Sequence, residues 1–325
     1  MTTRLLRRLL LLLALPLGAA CAADKPVLVR GATITLSDSK GKFDFLEIDA
    51  TRHRLLASHE KDDTADVFDL DTNKLLARVK VGPAVDVIVD PKTGNYFVSV
   101  QDDKRVAILD GKSFKEIGTV AVEGETDGII FEPKSRRLYV THDNGTHLWA
   151  VDVDAKKIVA TITIPGAPEC MALDAASGRI FLNIKTTNEV VVIDTAKNSV
   201  AAKWSTAPAT GPHGIALDAA HGRLYAAGDN GVLAILDTKT GKLVGTAKIA
   251  EHVDQAAIDP ELGLVYCAGT GFLSVVKITA DGAMLLGNVA TAETAKNVAV
   301  DPKTHAVWTT YTDGKSSFAQ QWKRP

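Results

Sequence analysis

The stretch "PHGIALDAAHGRLYAAG", residues 212–228, consists of an apolar run, an acid, a short polar turn and a second run carrying an aromatic residue. The same order returns in "VDVIVDPKTGNYFVSV" (85–100), "TDGIIFEPKSRRLYVTH" (126–142) and "PECMALDAASGRIFLNI" (168–184). It returns again in "VDQAAIDPELGLVYCAG" (253–269), "AKNVAVDPKTHAVWTTY" (295–311) and "FDFLEIDATRHRLLASH" (43–59). The marker acids are Asp49, Asp90, Glu132, Asp174, Asp218, Asp259 and Asp301, spaced 41 to 44 residues apart. Five copies continue with a third run ending in Asp, at Asp69, Asp110, Asp152, Asp194 and Asp237, and a fourth run follows a polar turn. Short runs rich in Val, Ile and Thr, bounded by Gly, Pro, Asp and Asn, read as strands. A four-strand unit repeated at a near-constant period is a propeller blade. The sequence therefore predicts an all-β, seven-bladed propeller. Its last copy lacks a fourth run, and "PVLVRGATITL" (26–36) is a spare one. Pairing the two ends in one blade would leave no open edge.

The rest of the chain fits one large β domain at 24–325. Residues 1–23 read as a secretory signal: Arg4, Arg7 and Arg8 precede the apolar run 9–17, and small residues follow in "GAACAAD" (18–24). The apolar run is shorter than the roughly 20 residues a membrane-spanning helix needs, so no transmembrane span is expected in the mature chain. The expected location is the periplasm. Lipidation of Cys21 is the competing expectation, although Gly18 stands where a lipobox usually has Leu. Cleavage changes the formal charge from -2 to -5 by removing three arginines. Lys and Arg are scattered, with "KSRR" (134–137) the densest internal spot, so nucleic acid is not an expected partner. Cys170 and Cys267 occupy different places in the repeat and read as buried small apolar residues rather than a disulfide.

The segment "VAILD…KEIGTVAVEG…DGIIFEPKSRRLYVTHDNG" resembles the YVTN-type bacterial propellers, in particular the YncE-like periplasmic proteins, and "RRLYVTHDN" is the nearest echo of the Tyr-Val-Thr-Asn signature. The resemblance runs over the whole mature chain. It implies a seven-bladed propeller and a link to outer-membrane uptake of a small molecule or metal complex. Single-stranded DNA binding, also implied, would need a basic groove with exposed aromatics, which this sequence lacks. "PHGIALD" is also similar to a motif of the streptogramin lyases, another seven-bladed group.

Blade geometry puts the start of the first strand and the end of the second on one face of the disc. Five residues before the marker acids stand Asp44, Val85, Asp127, Glu169, His213, Asp254 and Lys296. Ten residues after them stand His59, Val100, His142, Ile184, Gly228, Gly269 and Tyr311. Both columns are expected around one mouth of the central channel. His53, His221 and His305 fall in the turns of the opposite face and are assigned no chemistry. Asp44, Asp127, Glu169, His213, Asp254, Lys296, His59 and His142 are the candidate ligand-binding residues. Glu169, His213 and Asp254 are suitable types for a divalent metal.

Two readings stay open. The first is a non-enzymatic binding propeller that takes a small cationic ligand or metal complex at the mouth, with a small molecule or a periplasmic or outer-membrane protein as partner. The second is a metal-dependent lyase or lactonase with His213 as general base. No nucleophile elbow, phosphate-cradling loop or closely spaced metal motif supports another enzyme class.

Overall fold

The computed structural model describes residues 26–280 and 282–325. The signal reading of 1–23 and the Cys21 alternative lie outside them. Seven four-stranded antiparallel sheets form the ring. Blade 5, for example, runs Pro212–Asp218, Arg223–Gly228, Val232–Asp237 and Leu243–Lys248 from channel to rim. Blade 1 opens on Leu46–Asp49, blade 2 on Ala84–Val89, blade 3 on Thr126–Glu132, blade 4 on Pro168–Asp174 and blade 6 on Val253–Asp259. Blade 7 opens on a strand of only two residues, Ala299–Val300. Its outermost strand is Val29–Leu36 from the chain's beginning, paired antiparallel with Ser317–Lys323 from its end. The N-terminal strand thus closes the ring, as the spare run predicts.

The core is not one mass. Seven apolar clusters of described residues lie one at each blade–blade interface. Trp149 packs between blades 2 and 3, Trp308 between blades 7 and 1, and Trp322 between blades 6 and 7. Cys170 and Cys267 are free and buried. Among the described residues no helix is long and apolar enough to cross a membrane.

The marker acids hold the turns and tie the blades. Asp90 accepts from the Lys92 amide at 2.9 Å and Asp301 from the Lys303 amide at 3.0 Å, side-chain turns that replace missing backbone pairing. Their second oxygens receive groups from the next blade. Tyr96 donates to Asp49 at 3.0 Å and Arg136 to Asp90 at 3.0 Å. His305 meets Asp259 at 2.8 Å and His53 meets Asp301 at 2.9 Å. Two of the three histidines on this face are thus inter-blade ties. The third, His221, bonds Asp218 of its own blade.

Candidate functional site

The innermost strands do not run straight into the mouth. Their pairing with the second strand slips between Ala84 and Asp86, Thr126 and Ile129, Pro168 and Met171, Pro212 and Ile215, and Val253 and Gln255. Each slip is a β-bulge, which bends a strand and re-aims its side chains. The bulges fall where Asp127, Glu169, His213 and Asp254 stand. Carbonyls freed by them find polar side chains one blade earlier. Ser58 donates to the Val85 carbonyl at 2.7 Å, and Ser99 to that of Asp127 at 2.7 Å. Asn183 donates to the carbonyls of His213 and Gly214 at 2.9 and 3.0 Å. These polar residues are fully buried in otherwise apolar strands, and that contrast is their signal in the sequence.

Glu169, His213 and Asp254 meet across blades 4, 5 and 6. His213 Nε2 lies 2.7 Å from Glu169 Oε2. Its Nδ1 lies 3.0 Å from Asp254 Oδ1 and 2.8 Å from the Asp254 carbonyl. Both nitrogens face only acceptors, so both must donate and the ring is an imidazolium. Burial opposes that charge, but the Glu169 hydrogen bond and the Asp254 and Glu169 charges outweigh it and push His213 up to about 9. Lys185 caps the other Glu169 oxygen. Burial alone would raise Glu169, yet its bonds to His213 and Lys185 hold it below the usual carboxylate value. His213 therefore has no free lone pair with which to take a proton near neutrality, and it bridges two carboxylates instead of sharing an ion with them. Among the described residues no three His, Cys, Asp or Glu side chains form a metal-coordinating group.

Asp44 and Asp127 differ from this bridged trio. Among the described residues no salt bridge reaches either one. Burial, then the Glu169 and Asp143 charges, push Asp127 up to about 7. Burial, then the Asp127 and Asp254 charges, raise Asp44 well above its ordinary value. Acids from blades 1, 3 and 6 thus feel one another across the mouth.

The other candidates lie elsewhere. His59 is fully buried: Nδ1 bonds Asp66 at 2.8 Å, Nε2 bonds the Gly41 carbonyl at 2.9 Å, and the ring stacks on Phe43 at 3.8 Å. It fastens the segment between the closing strand and blade 1. His142 leans on Trp149, with ring centroids 5.0 Å apart, and no hydrogen bond or ion pair joins its ring to the acids among the described residues. Lys296 is exposed and no ion pair joins it to them. The expectation for the column ten after the marker is therefore corrected. Val100 and Ile184 of that column are fully buried too and pack between blades. The residues one position later, Glu60, Gln101, Asp143 and Lys185, carry the mouth contacts: Gln101 donates to Asp143 at 3.0 Å, and Lys42 pairs with Glu60 at 2.8 Å. A strand alternates faces with period two, so a one-residue slip exchanges core for site.

Below the mouth the channel narrows to a waist. Gln255 of blade 6 donates to the Asp44 carbonyl of blade 1 at 3.1 Å. Cys170 Sγ of blade 4 lies 3.7 Å from the Asp254 carbonyl. Phe45 of blade 1 packs on the Cys170 and Ile215 cluster. Beneath this waist a cavity of about 450 Å³ extends to the opposite face, past Glu47, Ile88, Ile130 and Ala257 to Pro260 and His305.

No protein-family model matches the sequence, and no curated protein matches it. Among solved structures the fold recurs widely, in 1732 matching chains. A chain of Kuenenia stuttgartiensis hydrazine synthase superposes with a TM-score of 0.76, over 86% of this chain and 96% of that one, at 14% identity. At that identity the likeness is one of fold alone.

Proposed function

We propose that this chain is a non-enzymatic, exported binding propeller that takes a small organic cation bearing more than one amine at its acidic mouth. The observation that carries the reading is the pair Asp44 and Asp127: recessed carboxyls, raised by burial and by neighbouring acids, that no salt bridge reaches among the described residues. A spread-out polyamine suits acids held on separate blades. A divalent ion suits them less, because His213 already occupies Glu169 and Asp254. The Arg-led apolar N-terminus supports export, and the YVTN-like repeat supports a role near outer-membrane uptake. The test is titration calorimetry of residues 24–325 with spermidine, putrescine, Ca²⁺ and Zn²⁺. Spermidine should bind, and Asp127→Asn and Asp44→Asn should each weaken it about tenfold. No heat with either polyamine would overturn the reading. A metal-dependent lyase or lactonase is the second reading, favoured only by the "PHGI" motif; the occupied His213 nitrogens count against it.

A further inference from the structure

The cavity beneath the waist has a different chemistry from the mouth. Its walls are mostly Val, Ile, Leu, Ala, Met and Pro, and its size lies in the range of small-molecule pockets. Among its lining residues there is no Lys or Arg. Two acids line it. Asp86 is committed to the scaffold: its two oxygens accept from the Val87 amide at 2.7 Å and from the Ile129 amide of blade 3 at 2.8 Å. The Glu47 carboxyl has no hydrogen bond or ion pair among the described residues, yet it stands two residues before its marker, inside the innermost strand. The equivalent residues in the other copies are Ile88, Ile130, Ala172, Ala216, Ala257 and Ala299. The repeat thus calls for an apolar side chain, and this copy alone supplies a carboxyl. An unpaired carboxyl in an apolar chamber costs stability that the fold does not require.

We propose that the cavity is a second ligand site, separate from the mouth, that binds a small monoamine with an apolar body, the ammonium on Glu47 and the body against Ile88, Ile130 and Ala257. The opening past Pro260 and His305 places its entrance on the face opposite the acidic mouth. A neutral ligand of the same shape would leave the carboxyl unpaired, so selectivity should rest on charge.

The experiment is titration calorimetry with 2-phenylethylamine and its neutral isostere 2-phenylethanol. The amine should bind one per chain and about tenfold tighter than the alcohol, as expected for a charge-assisted bond. Glu47→Gln should remove that difference, and Asp127→Asn at the mouth should preserve it. Equal binding of amine and alcohol by the unmodified chain would overturn the proposal, and that comparison needs no variant to fold. So would unchanged amine affinity in Glu47→Gln, or loss of amine binding in Asp127→Asn. Failure of spermidine at the mouth leaves these outcomes unaffected.

Discussion

The two ends of the channel share one backbone design and hold opposite chemistries. At the mouth, charge is abundant and much of it is matched, with Lys185, Glu169, His213 and Asp254 linked in series. Beyond the waist the walls are mostly apolar, and the Glu47 carboxyl stands without a partner among the described residues. The difference teaches that the repeat supplies the frame while departures from it supply the chemistry. Columns that stay alike from copy to copy hold the ring.

The largest expected effect lies at the waist that divides the two ends. A Cβ on Gly214 would come within 2.7 Å of the Gln255 backbone carbon, whereas one on Gly128, in the same column, would meet nothing nearer than 3.6 Å. Gly214→Ala should therefore cost about 1–3 kcal/mol in urea unfolding, while Gly128→Ala stays within about 0.5 kcal/mol of the parent. Equal costs would show that the waist does not press blades 5 and 6 together. Next comes the mouth. His213 is raised in the fold, so its contribution is complete below about 6.5 and fades as pH rises through about 9. His213→Gln should lower stability by about 1 kcal/mol at pH 6, a figure discounted for its partial exposure, and flatten the decline above neutrality. A parallel decline in the variant would assign that slope elsewhere.

Glu47 should behave with the opposite sign. Burial, then the Asp49 charge, push it up to about 7, so its ionisation opposes folding as pH climbs from the ordinary carboxylate range through 7. Glu47→Gln should raise stability at pH 8 by up to about 1 kcal/mol and leave it unchanged near pH 4. A loss at pH 8 would mean that Glu47 has a structural partner and that the two ends of the channel are alike after all. Smallest is Lys296→Ala, which should stay within about 0.5 kcal/mol and leave spermidine binding unaltered. A clear loss of binding would return Lys296 to the mouth.

Legibility followed the same division. Strand number, blade count and ring closure were readable because apolar runs and turn residues repeat at fixed spacing. Five mouth residues, Asp44, Asp127, Glu169, His213 and Asp254, were readable because their column follows from blade geometry. His59 and His142 misled because a strand shows alternate residues to alternate faces, and the true mouth column, with Lys185 and Asp143, starts one position later. The bulges have no residue signature of their own. Glu47 was visible as the lone acid in an apolar column, but only a comparison inside the strand, not at its ends, would have found it.

The joint between Val29–Leu36 and Ser317–Lys323 also sets a timetable. Thr33 bonds Gln320 at 2.8 Å across 287 positions. Such distant pairing must wait until nearly the whole chain is available, and long-range contacts slow folding. The ring can accumulate neighbouring blades in order, but its last blade is completed only when the last strand meets the first. The earliest strand of the domain is thus the last to be used, and until then its edge is exposed to other chains.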